Sequence, residues 1–477
     1  MLEPEYVIPC RKTISGRIHA MHNNELEKVK KTLSSASDIA LTTDCWTSRA
    51  TRSYMGLTAH YLDSNWTPRS LNLLTEEVTE SQSAANLEDS LRIGMEEWEI
   101  TEKVSTVVHD NAKNITNAVR GLSTDGITSH PCSAHTLQLI VNLGMKLPQC
   151  AEIIQKVSKL VTCFKNSSKR TYALEKHLTQ TEHTVRKLIQ SCPTRWNSAL
   201  FMLERVKELR SSIVAVIADR SVFDNKTAQN IAISDSGWDS IDVLIYLLTP
   251  FQIATTVLSS DSEITISKVK PIIHKIITKH MRSEKTDTKL AKTFKEKVVA
   301  DLRSRFHFED IEDPTQENIS IAHLASFLDP RFKQLKYVEY DAFREEIKNY
   351  VKKEYNQIGA IVMNDQKAST ENNDFTALDV LLNDNESDTS EEDEFQHYVI
   401  EEQINHNLSV SYWCKDHEKI YPKLSKLAKR YLAVPEVAST ASEMVFSSSG
   451  NVVRPTHNCL CSEMISALVF LHQNKKK

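Results

Sequence analysis

Runs of apolar residues near the start of the chain predict a segment that is rich in β-strands. The runs are bounded by turn-forming residues and contain many β-branched side chains, which indicates strands at 38–44, 54–62, 70–74 and 104–110. Helical patterns follow the third and fourth runs, at 83–98 and 111–120, and Gly121 ends the second helix. The predicted order is three strands, a helix, a strand and a helix.

This order is that of an RNase H-like α/β core, whose first part is predicted at 38–147. From there to about residue 360, apolar positions recur at helical spacing, as in Ile153 and Val157. We therefore expect a large all-α insertion at 148–362, which interrupts the core.

Three further segments complete the predicted organisation. Residues 1–37 form a polar, partly helical lead-in. Residues 363–404 form an acidic disordered loop, because 384–394 holds seven acidic residues and no basic one. Residues 405–474 form a C-terminal region that completes the core.

Composition says more about the cellular compartment of the protein than about the chemistry that it performs. The chain has 477 residues, a net charge of −5 and 9 cysteines. The cysteines are scattered singly, and neither a secretory signal nor a membrane-spanning stretch is expected. These features favour a reducing compartment with free thiols, and the charge neither supports nor excludes DNA as a partner.

Short motifs then point to a family. In order they are residues 43–48, 109–114, 132–139, 193–198, 328–333, 431–435 and 442–451. Each is a weak pattern alone, but their order and gaps resemble the hAT transposases and the BED zinc-finger proteins domesticated from them. The resemblance runs from about Pro9 to Asn474, which is nearly the whole chain. It implies an RNase H-like catalytic core and a C-terminal hAT dimerisation region.

The resemblance also implies a metal-binding carboxylate triad, with Asp44, Asp110 and Glu443 at the matching positions. In the family such residues hold two Mg²⁺ ions for DNA strand transfer. Each residue has a structural alternative: Asp44 ends a strand in a turn, Asp110 caps a helix, and Glu443 belongs to a capping box. Each alternative is favoured for its residue taken singly, and the metal site is favoured for the three together.

Three more residues take a role from the resemblance. His135 is implied to lie close to the catalytic pocket, and Arg195 and Trp196 are implied to contact DNA, with Trp196 stacking on a displaced base. The alternative for Trp196 is burial at the start of a helix. Because Cys132 and His135 are only half of a zinc site, no structural zinc is expected.

The chain also departs from the family pattern. The family's upstream BED finger is not expected in this chain, Met444 stands where relatives usually have Arg, and Cys459 stands where another Arg is usual. These departures favour a domesticated or decayed nuclear protein that acts through DNA association and dimerisation. The alternative is an active, Mg²⁺-dependent cut-and-paste transposase. The expected partners are DNA and a second copy of the chain, and no membrane is expected.

The C-terminal region contains two apolar helix faces, and there are two alternatives for what they contact. One face includes Leu424, Leu427 and Tyr431, and the other includes Ile465 and Val469. One face must cover the sheet, so that the other is left for a dimer partner. Alternatively, both faces pack on the same core.

Overall fold

The computed structural model describes residues 9–47, 52–181, 184–193, 195–308, 319–367, 391–436 and 461–475. Its internal contacts divide the chain into two compact units. The first unit comprises Met1–His135, Leu258–Pro271 and Ile311–Lys477. The second comprises Thr136–Val257 and Ile272–Asp310.

A five-stranded mixed sheet forms the centre of the first unit. Its strands are β1 Ile39–Thr47, β2 Ser53–Leu62, β3 Pro68–Glu77, β4 Val104–His109 and β5 Thr128–Pro131. They lie in the order β3-β2-β1-β4-β5. The pairs β1–β2 and β2–β3 are antiparallel, whereas β1–β4 and β4–β5 are parallel. The predicted α/β class is confirmed, and β5 is an addition to the four predicted strands.

The helices of the described residues can be named in chain order. They are α1 Arg11–Ser35, α2 Ala84–Glu97, α3 Lys113–Gly121, α4 Ser133–Met145, α5 Pro148–Lys165, α6 Ser168–Gln180, α7 Trp196–Glu208, α8 Arg210–Ala218, α9 Asn225–Ile231, α10 Asp235–Leu258, α11 Val269–Lys275, α12 Lys289–Arg305, α13 Ile321–Leu328, α14 Asp341–Lys367, α15 Glu391–Ile400, α16 Val410–His417, α17 Pro422–Leu432 and α18 Ser462–Asn474.

One face of the sheet carries the larger apolar core, and the other combines buried polar side chains with a small apolar cluster of Tyr54, Ile465 and Val469. The apolar face packs against α1, α2 and α3, with Leu33, Leu41 and Leu91 fully buried. On the opposite face the side chains of Thr42 and His60 are buried, and Thr42 Oγ1 lies 3.0 Å from His60 Nε2. Since side chains alternate along a strand, Asp44 and Trp46 of β1 lie on the same face as Thr42.

Helix α18 covers the open edge of the sheet at β3. The Asn474 side chain accepts a hydrogen bond from Asn72 N at 3.0 Å and donates one to Asn72 O at 2.9 Å. This pairing imitates a sixth strand and satisfies backbone groups that an edge strand would leave open. Both apolar faces of the C-terminal region, on α17 and α18, are buried within the first unit. The alternative in which both pack internally therefore matches the structure.

The second unit is helical. Its core residues recur at helical spacing, as in Val157, Leu160 and Phe164 of α5. The segment Asn225–Leu258 also has the length and hydropathy of a membrane span, contrary to the sequence expectation. Its buried residues Leu244, Leu248 and Phe251 follow the periodicity of a core helix, and length and composition alone are weak grounds for a membrane span.

The structure differs from two predicted segment boundaries. Helices α13 and α14 belong to the first unit, so the predicted helical insertion extends too far at 148–362. The predicted disordered loop at 363–404 contains α15, whose Phe395 and Tyr398 are buried. Glu394 accepts hydrogen bonds from the backbone N–H groups of Lys423 and Leu424 at the start of α17. The acidic run therefore ends in an ordered helix, and residues 368–390 lie outside the described ranges.

Candidate functional site

Asp44 lies within β1, and Asp110 directly follows the end of the neighbouring parallel strand β4. Thr42 of β1 pairs with Val108 of β4. Asp44 follows Thr42 by two residues, and Asp110 follows Val108 by two residues. Because residues two apart share a face of a sheet, Asp44 lies on the same face of β1 as Thr42, and Asp110 follows Val108 just beyond the end of β4. Neighbouring strands lie about 4.8 Å apart. The structure therefore brings together two of the predicted metal ligands.

The half-buried thiol of Cys45 is influenced by the charges of both carboxylates. Burial, followed by the negative charges of Asp44 and Asp110, raises the pKa of Cys45 to about 12. The thiol therefore stays protonated at neutral pH and is not an activated nucleophile. The same negative field favours a cation at this end of the sheet.

His109 holds the backbone that carries Asp110. It is buried, its Nδ1 lies 2.6 Å from Asp110 O, and its Nε2 lies 2.8 Å from Ser129 Oγ on β5. Burial lowers the pKa of His109, so the neutral ring is favoured. Asp110 Oδ1 accepts a hydrogen bond from Ala112 N at 2.9 Å. Since α3 begins only at Lys113, this bond shapes the loop before the helix.

His135 lies in the first turn of α4, directly after β5. Because β5 is parallel to β4, this helix begins at the edge of the sheet that carries Asp110. The His135 side chain is half-buried, and its backbone N–H contacts the Sγ of buried Cys132 at 3.5 Å. The thiol of Cys132 thus packs against the helix start.

A buried carboxylate, Glu436, also lies near this edge and was not predicted. Its side chain is 0% exposed, and it accepts hydrogen bonds from Ser133 Oγ and, at 3.1 Å, from His130 Nε2. Ser133 N donates to Glu436 O at 3.1 Å. The chain therefore returns to the junction of β5 and α4 just before the segment that holds Glu443. A charged residue between Pro435 and Val437 was the only sequence signal.

Lys270 is the buried cation near Glu436. Burial lowers the pKa of Lys270 to about 7, although the charge of Glu436 acts in the opposite direction. A lysine that loses its proton near neutral pH makes this part of the core sensitive to pH.

The third predicted ligand, Glu443, lies outside the described residues, as do Met444 and Cys459. Within the described ranges, no group of three or more His, Cys, Asp or Glu side chains is arranged to hold a metal ion. The structure therefore describes the Asp44–Asp110 pair alone, and the full triad stays a prediction.

Arg195 and Trp196 lie in the second unit, at the start of α7. The Arg195 backbone N–H donates to Cys192 O at 3.1 Å, which closes a tight bend before the helix. The Trp196 side chain is only 4% exposed and packs in the helix core. Its burial matches the alternative of a tryptophan at a helix start, and stacking on DNA would require it to leave this position.

The motif at residues 328–333 has a structural explanation. Asp329 is fully buried and accepts hydrogen bonds from Ser267 Oγ at 2.6 Å and from Arg331 Nη2 at 2.7 Å. Lys333 Nζ donates to Tyr398 O at 2.8 Å, which ties this turn to α15. A buried pair with complete hydrogen bonding satisfies both charges and fixes local geometry.

Comparison with known proteins identifies the regions in which these features lie. Residues 42–135 match the ZBED1 RNase-like domain, and 130–246 match the ZBED1 RNase-like helical domain. Residues 393–475 match the hAT family C-terminal dimerisation region. The chain therefore combines an RNase-like domain, its helical companion and a hAT dimerisation region.

Curated relatives agree with these matches. A putative AC transposase of Zea mays is 26% identical over 98% of this chain and 60% of its own length. The human zinc finger BED domain-containing protein 4 is 24% identical over 99% of the chain and 41% of its own length. A putative transcriptional regulator, tpeD of Talaromyces stipitatus, is 28% identical over 60% of the chain and 37% of its own length. The chain is thus similar to these transposases and BED zinc-finger proteins, and it spans about 37–60% of the length of these relatives.

Proposed function

We propose that this chain is a transposase-derived nuclear protein that associates with DNA and with a second copy of itself. The match of residues 393–475 to a dimerisation region supports self-association, and the names of the maize transposase and the human zinc finger protein support a DNA-directed role, for which the nucleus is the fitting compartment. The observation that carries the DNA-directed role is the position of Asp44, within β1, next to Asp110, directly after the neighbouring parallel strand β4.

The aspartate pair fits a divalent metal. Asp44 and Asp110 supply carboxylate oxygens, which Mg²⁺ prefers, and their joint effect on Cys45 indicates a local excess of negative charge. With Glu443 as the third ligand, these residues would hold two Mg²⁺ ions. Bound Mg²⁺ would activate an attacking oxygen and stabilise a leaving oxygen at phosphorus. The protein's own part is to hold one carboxylate on β1 and the other directly after β4.

A calorimetric titration with Mg²⁺ or Mn²⁺ tests the pair directly. Asp44→Asn should weaken metal binding at least about tenfold, because a carboxylate ligand becomes a neutral amide. Asp239→Asn is the matched control, since Asp239 is exposed on α10 in the second unit. Equal affinities for the wild type and both variants would rule out a metal at this pair.

Helix α6 offers a surface that suits the DNA backbone. Tyr172 is 67% exposed, and Lys169 and Lys176, both exposed, lie three residues before it and four after it. Such spacing places the three side chains on one side of a helix. Lysines attract phosphates, and an exposed aromatic ring stacks on an unpaired base.

DNA association is tested by fluorescence anisotropy with a labelled duplex that carries a single-stranded tail. Binding should weaken as salt rises, and Lys176→Glu should lower the affinity several-fold more than Lys289→Glu, an exposed control at the start of α12. Failure of the wild-type chain to bind this DNA at low salt would contradict the proposal.

Catalysis is the second candidate function, and the aspartate pair is the observation that favours it. An active chain would nick or join DNA in Mg²⁺, and Asp110→Asn would remove that activity. If the wild type binds metal and DNA but leaves DNA intact under the same conditions, the non-catalytic function is supported.

A further inference from the structure

The loop that follows α10 contains a serine with a distinctive acidic neighbourhood. Ser260 is followed by Asp261 directly and by Glu263 three residues later. In the whole sequence, Ser390 is the other serine or threonine with acidic residues at both of these positions, and it lies outside the described residues. The metal and DNA surfaces described above do not use the loop at 259–263.

The loop is accessible and is anchored at both ends. Residues 259–263 belong to neither a helix nor a strand, and a short 3₁₀ helix, Ile266–Lys268, follows them. Leu258 is 1% exposed and Ile264 is 2% exposed, so the apolar core holds both ends of the loop. Ser260 is half-buried, and its Oγ lies 3.3 Å from Oγ of the exposed Ser262. An enzyme can therefore reach this loop without opening the core.

The two acidic residues present negative charge on one side of Ser260. Asp261 is exposed, and the Glu263 side chain is 61% exposed. The hydrogen bond from Lys268 lowers the pKa of Glu263, so this carboxyl group is ionised at neutral pH. Such a surface is complementary to the basic substrate groove of a kinase that selects acidic sequences.

We propose that Ser260 is a phosphorylation site for an acidophilic serine/threonine kinase. The kinase supplies ATP as the phosphoryl donor. Ser260 Oγ attacks the γ-phosphorus and forms the new O–P bond, while the bond from that phosphorus to the departing ADP breaks. The hydroxyl proton passes to the base of the kinase. This modification depends on neither metal binding nor DNA binding by the chain.

The structure also provides cations for the product. Arg69 lines the same cleft as Ser260, and its Nε lies 2.8 Å from Asp63 Oδ2. Lys268 contacts Glu263, three residues after Ser260. A phosphoserine carries a charge of about −1.5 to −2 and strong acceptor oxygens, which arginine and lysine side chains bind well. The phosphate would therefore enter a cleft that already contains positive charge.

Incubation of the folded full chain with ATP and a purified acidophilic casein kinase tests the site. Peptide mapping by mass spectrometry should find phosphate on Ser260. Glu263→Gln should slow the modification of Ser260 at least about tenfold, because a charge-assisted contact with the kinase is lost. Glu284→Gln is the matched control, since Glu284 is exposed but lies in the second unit, and it should leave the rate unchanged. Circular dichroism verifies that both variants are folded.

The other serines of the same chain define the outcomes that would overturn the site. Ser64 lies in an exposed turn of the first unit without an acidic residue in the next three positions, so it should stay unmodified. Equal phosphorylation of Ser64 and Ser260 would mean that the acidic residues do not select the site. Phosphate on Ser390 without phosphate on Ser260 would show that the kinase is active and rejects the loop. Modification of Ser260 only after unfolding in urea would also contradict the proposal.

Discussion

The two units bury different kinds of side chain. The first unit encloses Lys270, Asp329, Arg331, Lys333 and Glu436. In the described part of the second unit, Lys295 is the buried charged side chain, and it pairs with Asp287 at 2.8 Å. Buried charges are tolerated where partners satisfy them, and they fix geometry that apolar contacts leave adjustable. The buried charges of the first unit thus fix the geometry of its interior more strictly, which suits a sheet that holds carboxylates in position.

The largest expected effect concerns the buried pair of Asp329 and Arg331. Asp329→Ala should lower the free energy of unfolding of the first unit by about 3–5 kcal/mol, because Arg331 keeps a buried charge without its carboxylate. Urea denaturation followed by circular dichroism measures this loss. Ser267→Ala is the control, and it removes one hydrogen bond at a cost of about 1 kcal/mol. A loss below that of the control would show that the pair contributes little.

The next effect concerns Glu436. Glu436→Ala should cost about 2–3 kcal/mol, because Ser133 and His130 lose their buried acceptor. Glu436→Gln is the control, since it keeps an acceptor oxygen and the side-chain volume. Thermal unfolding of the three proteins measures the difference. Equal stability of the Ala and Gln variants would mean that these hydrogen bonds do not hold the C-terminal segment to the sheet.

Much of the sheet could be predicted from the sequence, because β-branched runs mark strands wherever a strand is long enough. β4, Val104–His109, is such a run, and its end places Asp110. β5 could not be predicted in this way because it has four residues and ends in proline. Short strands take their stability from pairing with a neighbour, which local sequence does not encode.

The structure around the acidic run and around Glu436 could not be predicted from the sequence. The run at 384–394 predicts a solvated loop, yet Phe395 and Tyr398 directly after it anchor α15 in the core. Glu436 is buried by residues about 300 positions earlier, at His130 and Ser133. Contacts over such separations depend on the folded topology, so no local pattern reveals them.

Replacement of Trp196 in the second unit should have a smaller effect on stability. Trp196→Phe should lower the stability of that unit by about 1–2 kcal/mol, because a smaller ring leaves a cavity in a buried site. Phe201→Leu, an exposed change on the same helix, serves as the control. Affinity for DNA with an unpaired base should change little. Reduced DNA affinity with unchanged stability would instead favour the predicted stacking role.

The smallest effect is a pH dependence that arises from Lys270. In the unfolded chain the pKa of this lysine has its ordinary value of 10.5, whereas burial in the folded protein lowers the pKa to about 7. Between these values the unfolded state holds more protons, so stability rises with pH. The contribution of Lys270 is therefore most unfavourable below about pH 7 and is relieved as pH increases.

Comparison with Lys270→Met isolates this contribution from all other titrating groups. The stability of the wild type relative to the variant should increase by about 1 kcal/mol between about pH 7 and about pH 8. The Glu436 carboxylate opposes the shift, so Glu436→Gln should lower the pKa of Lys270 further and move the rise to lower pH. Urea denaturation at several pH values measures both changes. A constant difference between wild type and Lys270→Met across this range would mean that Lys270 keeps its proton in the folded core.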